Sequence, residues 1–131
     1  MRQPINSVLE ELGHVRSAVC GWLIERGWAE ESLGDVSLVV TELVANAVIH
    51  GRPPAELQAD VIGEVVRIEV RDAEPKAPVI NAQPSWTGGF GLRIVDRVAR
   101  RWGWEALPDG KLVWAEVPRT MTTTVTLTRA R

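Results

Sequence analysis

The chain has 131 residues with a formal net charge of −2, and 45% of them are hydrophobic against 24% charged. That length supports one domain with a single core, and the balance is that of an ordinary globular protein. The mild acidity argues against a nucleic-acid partner, no apolar run approaches the ~20 residues of a membrane span, and a lone cysteine, Cys20, excludes a disulfide framework or a thiolate metal site.

Residues 1–6 read as a frayed start or an edge strand. From Ser7 to about Arg26, Val8, Leu12, Val15, Val19, Trp22 and Leu23 recur at helical spacing, and Cys20 falls among them as a small core residue. Gly13 weakens the interior of that helix, so the helix is expected to begin after it, and Gly27 is a C-terminal stop. The start carries no basic-then-apolar secretory pattern, which makes the cytoplasm the expected location.

A second helix opens near Glu30-Glu31-Ser32, with Ser32 or Asp35 as cap candidates, and ends at His50-Gly51 before Pro53-Pro54. It contains Val39, Val40, Leu43, Ala47 and Val48, apolar on most sides and therefore buried. Through that apolar surface run Glu42, Asn46 and His50, four residues apart. Such residues share one side of a helix, drifting by roughly 40° per step. A buried carboxylate and carboxamide need partners, from the protein or from a ligand. Glu42 has the chemistry of a general base and Asn46 that of a hard oxygen ligand for Mg²⁺. His50 before Gly51 also reads as ordinary helix-ending chemistry.

Leu57 to Ile62 and Val65 to Arg71 are strand-like runs across Gly63-Glu64, an antiparallel hairpin. In the second run Val66, Ile68 and Val70 alternate with Arg67, Glu69 and Arg71, as in a strand with one wet face. Asp72 follows, either as a turn former or as an acceptor for an exocyclic amine. Residues 73–87, with Pro75, Pro78 and Pro84, form a long loop with a short strand or turn at Val79-Ile80. Gly88-Gly89-x-Gly91-Leu92 opens a third helix and offers free N–H groups to a phosphate. It lacks the Lys-Ser or Lys-Thr of a P-loop, and the α-α-β-β order before it is not a dinucleotide fold. Arg93, Arg97, Arg100 and Arg101 give this helix a basic face. Trp102 to Leu107 and Leu112 to Val117 are two further strands joined by Pro108-Asp109-Gly110, and 118–131 is a tail or an extra edge strand. The whole is an α+β, two-layer sandwich, with helices on one face of a mostly antiparallel sheet.

The pattern Glu42-x-x-x-Asn46-Ala47-x-x-His50-Gly51 resembles the N-box of the GHKL, or Bergerat-type, ATPases, and specifically the anti-sigma factor serine/threonine kinases of the actinobacterial branch. Val70-Arg71-Asp72 before a Pro-rich stretch resembles the adenine-binding G1 box. Gly89-Phe90-Gly91-Leu92-Arg93-Ile94-Val95-Asp96 resembles the G2 box of the ATP lid, which also carries Trp86. Trp102-Gly103 and Gly110-Lys111-Leu112-Val113-Trp114-Ala115-Glu116 resemble that branch's closing strands. The resemblance covers about residues 8–117 of a single domain, 1–131.

The resemblance implies ATP and Mg²⁺ as cofactors. Asn46 would hold Mg²⁺ bridging the phosphates and Glu42 would act as base. Asp72 would hold the adenine amine, Gly88, Gly89, Gly91 and Leu92 would approach the phosphates, and His50 would lie near the nucleotide. It implies γ-phosphoryl transfer to a Ser or Thr of an anti-sigma factor antagonist, sequestration of a sigma factor, and a homodimer. The alternatives are a nucleotide-gated protein-binding module without kinase activity and a detached histidine-kinase ATPase domain. The chain departs from the pattern in three places. Ala73-Glu74-Pro75 replaces glycines after the G1 Asp, Leu112 stands where relatives place a Thr supporting the adenine site, and the usual leading strand looks missing or remade.

Overall fold

A computed structural model describes residues 1–6, 12–78 and 92–119. Among these residues five strands form one sheet: β1 (Arg2–Ile5), β2 (Ala55–Ile62), β3 (Val65–Asp72), β4 (Arg101–Leu107) and β5 (Gly110–Pro118), in the order β1-β2-β3-β5-β4. Every neighbouring pair is antiparallel. Three helices, α1 (Leu12–Glu25), α2 (Gly34–Ile49) and α3 (Leu92–Val98), pack together, with α2 across β2, β3 and β5. The α+β, two-layer architecture follows from the alternation of the strands: Val66, Ile68 and Val70 are buried beneath α2, and Arg67 and Glu69 are only partly covered.

The two open readings of the N-terminus resolve in favour of the edge strand. Arg2–Ile5 pairs with β2, and the Met1 ammonium donates to the Ala59 carbonyl at 2.7 Å. A short leading strand is therefore present, at the edge of the sheet. A strand of four residues carrying Pro4 has too little local signal to stand out, and its partner lies more than fifty residues away. Gly13 lies inside α1 rather than before it, and residues 7–11 are outside the described residues.

Gly27 does end α1. Its φ is 88°, its N–H donates to Ile24 at 3.0 Å, and Trp28 N–H donates to Leu23 at 3.1 Å, the paired closure of a Schellman motif. The N-cap position of α2 falls on neither Ser32 nor Asp35. The N-cap is Leu33, buried at 7% exposure and without a side-chain cap, after a 3₁₀ turn at Glu30–Ser32. Burial of Leu33 in the core outweighs the capping preference here, since a large apolar side chain contributes about 1.5–3 kcal/mol and a cap about 1.

The core is one cluster, with Val19, Leu23, Val36, Val39, Val40, Leu57, Ile68, Leu92 and Val117 closed to solvent. Cys20 is half-buried at its edge, with Sγ 3.3 Å from Ser37 Oγ. Across the sheet, the outer face carries an ionic ladder. Glu116 accepts from Arg101 at 3.0 and 2.9 Å and from Arg67 at 3.0 Å, Arg67 reaches Glu69 at 2.7 Å, and the Arg67 guanidinium lies 4.3 Å over the Trp114 ring.

Candidate functional site

The C-terminal half of α2 brings two polar side chains into the core. Glu42 and Asn46 are 5% and 6% exposed on a helix whose Val39, Val40, Leu43, Val44 and Ala47 are also buried. His50 does not share that environment. It is exposed and serves as the helix C-cap, its backbone N–H donating to Asn46 O at 2.9 Å. Gly51 N–H reaches the same carbonyl at 3.1 Å. The expected three-residue stripe is therefore a buried pair with an exposed third member, because the helix stops before its last turn can be covered.

Asp72 is the last residue of β3, within the strand rather than past it, and is 5% exposed. Its Oδ1 accepts from the backbone N–H of Glu74 at 2.7 Å, from that of Arg52 at 3.3 Å, and from Lys111 Nζ at 3.1 Å. The Lys111 ammonium is also 3.1 Å from Oδ2 and donates to Glu74 O at 3.2 Å. Both side chains of this pair are only 1% exposed. One carboxylate thus ties together the loop after α2, the loop after β3 and the start of β5.

Two glycines make room for it. A Cβ on Gly51 would sit 2.5 Å from Ala47 O and 2.6 Å from Asp72 Cγ, and one on Gly110 would overlap the Asp72 carbonyl oxygen. Beside them, Arg52 Nη2 bonds Glu74 Oε1 at 3.0 Å, and the Lys76 N–H bonds Glu74 Oε2 at 3.1 Å. Chiefly through that Lys76 N–H, with Arg52 adding and desolvation opposing, the Glu74 carboxyl titrates below its ordinary range.

Lys111 carries no role in the sequence reading, which weighs its neighbour Leu112 at the position of a supporting Thr. The register pairs Asp72 with Lys111 and Arg71 with Leu112. Successive strand residues point to opposite faces, so Lys111 shares the helix-side face with Val113, Ala115 and Val117, while Leu112 lies on the outer face. The signal was available as the parity of Lys111 with that buried apolar row.

Gly88, Gly89 and Gly91 lie outside the described residues, as do Val79-Ile80, Trp86 and the tail from residue 120. Leu92 is described, as the first residue of α3 and fully buried. Among the described residues no group of three or more His, Cys, Asp or Glu is arranged to hold a metal ion, and no helix is long and apolar enough to cross a membrane. A groove of about 630 Å³ is lined by Leu38, Ile94, Val98 and Trp102 with Arg93, Asp96 and Arg97. None of Glu42, Asn46, His50 or Asp72 contributes to it.

The chemistry of two of these residues is compatible with a magnesium nucleotide. Asp72 Oδ2 has Lys111 as its one partner among the described residues, and a carboxylate oxygen accepts two hydrogen bonds. Asn46 supplies a single neutral oxygen, which suits a cation held mainly by phosphates and water.

Comparison with known proteins agrees with this architecture. No curated protein matches the chain. Among solved structures, the RsbU and RsbW domains of Rv1364c from Mycobacterium tuberculosis superpose with a TM-score of 0.69 at 18% identity, over 91% of this chain and 32% of that one. The histidine kinase domain of the blue-light activated histidine kinase EL346 from Erythrobacter litoralis gives 0.52 at 20% identity, over 85% of this chain and 60% of that one. This chain therefore corresponds to under two thirds of either solved chain, and at these identities the likeness is one of fold. The model of the histidine kinase-like ATPase domain matches residues 5–117. With that match spanning most of the sequence and the sheet and helices arranged as described, the chain belongs to the histidine kinase-like ATPase domain family and has its Bergerat fold.

Proposed function

We propose that the protein is a cytoplasmic Mg-ATP-binding regulator of the anti-sigma factor kinase type. In this reading it phosphorylates a Ser or Thr of an anti-sigma factor antagonist, sequesters a sigma factor, and acts as a homodimer. The observation that carries it is the burial of Glu42 and Asn46 together on an otherwise apolar helix of an ATPase-family domain. The RsbW domain named in the Mycobacterium tuberculosis structure supports the anti-sigma assignment.

ATP would supply the phosphoryl group and Mg²⁺ would neutralise charge on it. The chain's own work is positioning, which carries most of the catalysis in phosphoryl transfer. Asn46 would hold the metal through its carboxamide oxygen. Glu42 would take the proton of the attacking hydroxyl, an effect worth about 10²–10⁴-fold. Asp72 would accept the base amine at Oδ2, and Gly88, Gly89, Gly91 and Leu92 would line the phosphate side. His50, exposed at the helix end, would lie at the rim without a chemical task.

The test is calorimetric titration with ATP, with and without Mg²⁺, on the wild type, Asn46→Ala and Glu42→Gln, followed by a mass search for phosphoserine on a candidate antagonist. Asn46→Ala should lose magnesium-dependent binding while remaining folded, and Glu42→Gln should bind but not transfer. Unchanged affinity in Asn46→Ala would sink the metal assignment. Binding without transfer by the wild type would leave the nucleotide-gated binding module.

A further inference from the structure

Leu38 is 44% exposed, one of the few large apolar side chains among the described residues that face solvent. It borders the groove of about 630 Å³, whose apolar lining is completed by Ile94, Val98 and Trp102, all partly covered. Ile94 and Val98 lie one turn apart on α3, ~6 Å along its axis. Trp102 is held against the same helix by its indole N–H, which donates to Asp96 at 2.9 Å. Arg93 and Arg97, also one turn apart, line the groove and are exposed. Arg97 makes no ion pair among the described residues. The lining thus sets two guanidinium groups against the one carboxylate of Asp96, in a chain whose net charge is −2.

Apolar side chains beside a basic row call for an occupant that is apolar on one stripe and acidic next to it. Six of the lining residues come from α2 and α3, and Trp102 alone from the edge strand β4. An added strand needs the open N–H and C=O groups of an edge, whereas a helix satisfies its own backbone and offers only side chains. On a partner helix, apolar residues at i and i+4 repeat at the same ~6 Å as Ile94 and Val98, and carboxylates at i and i+4 match Arg93 and Arg97. A second copy suits the groove poorly. A two-fold contact centred on it would set Arg93 and Arg97 against their own counterparts, and like charges across an interface are costly. None of Glu42, Asn46, His50 or Asp72 lines the groove, so its occupation is independent of the nucleotide reading.

We propose that this groove along α3 docks an acidic amphipathic helix of a partner protein, its apolar stripe on Leu38, Ile94, Val98 and Trp102 and its carboxylates on Arg93 and Arg97. The probe is a fluorescein-labelled peptide of about 18 residues, long enough to hold a helix, with Leu at helical spacing and Glu beside each Leu. A counterpart carries Lys for every Glu. Both are titrated with the full chain by fluorescence anisotropy, without nucleotide. The Glu peptide should bind at least about tenfold tighter than the Lys peptide, and Arg93→Glu/Arg97→Glu should reverse that order. Leu38→Asp should weaken the Glu peptide by at least about tenfold, while Arg2→Glu, on the opposite edge of the sheet, should leave it unchanged. Equal binding of the two peptides, or an equal loss in Arg2→Glu, reduces the effect to diffuse charge and overturns the proposal. So does a Glu peptide that fails to bind at about 1 mM. A wild-type dimer in sedimentation that becomes a monomer in Leu38→Asp also overturns it, giving the groove to a second copy. Should Arg93→Glu/Arg97→Glu fail to fold, Leu38→Asp against Arg2→Glu decides.

Discussion

Lys111→Met removes the positive member of an ion pair that has no access to solvent. The side chains of Lys111 and Asp72 are both 1% exposed, and the ammonium bridges Asp72 and the Glu74 carbonyl at 3.1 and 3.2 Å. Methionine keeps most of the volume and none of the charge, so the packing cost is small and the loss is electrostatic. An uncompensated buried carboxylate costs about 3–5 kcal/mol, against a total of about 5–15 for a domain of this kind. Arg2→Met is the control, since Arg2 and Glu56 form a pair at 3.8 Å with side chains 71% and 40% exposed. That substitution should cost under about 1 kcal/mol. Urea unfolding followed by circular dichroism measures both, with equal slopes marking an unchanged transition. Asp72→Asn in the Lys111→Met background restores neutrality and keeps an acceptor oxygen for the Glu74 and Arg52 N–H groups, so it should recover more than half of the loss. If Lys111→Met costs no more than Arg2→Met, or if the double variant is as unstable as the sum of the singles, the ammonium is not held as described.

Gly51→Ala should destabilise by about 1–3 kcal/mol through overpacking, because its Cβ would meet a backbone oxygen of α2 at 2.5 Å and Asp72 Oδ1 at 2.8 Å. Thermal melts that coincide with the wild type would refute this. Glu116 titrates below the ordinary Glu value, chiefly through its hydrogen bonds from Arg101, with burial opposing and Arg67 adding. A lowered folded-state value means that the stabilisation is present above the ordinary Glu value of about 4.3 and is lost as pH falls through the folded-state value. Glu116→Gln should therefore lower stability at neutral pH by about 1 kcal/mol and flatten the acid limb of the pH–stability curve. Parallel curves for the two proteins would count against the ladder. Glu74 titrates in the same direction, so some acid dependence should survive in the variant.

Some parts of the site were legible in single residues and others only in pairs. Glu42 and Asn46 announced themselves because a carboxylate and a carboxamide interrupt a run of apolar residues, and both are buried. His50 carried the same spacing and came out exposed, since periodicity gives direction around a helix but not where its cover ends. Asp72 was visible at a strand end, but its partner Lys111 lies 39 residues away and becomes its neighbour only through the register of β3 on β5. Leu112, the neighbour that the sequence brings to notice, lies on the outer face, because in a strand one residue is a change of face.

The elements legible without coordinates are those whose signals are local. Apolar residues at helical spacing gave α1 and α2, Gly27 gave a helix end, Gly63-Glu64 gave the β2–β3 hairpin, and alternation gave β3 its wet and dry faces. Tertiary structure alone decided β1, whose four residues form a strand because β2 offers an edge, and the cap of α2, where a buried Leu33 displaced Ser32 and Asp35. It also decided the pairing of Asp72 with Lys111. Local periodicity reports which faces want burial, whereas an ion pair between distant strands depends on desolvation and register, quantities that exist only once the sheet has formed.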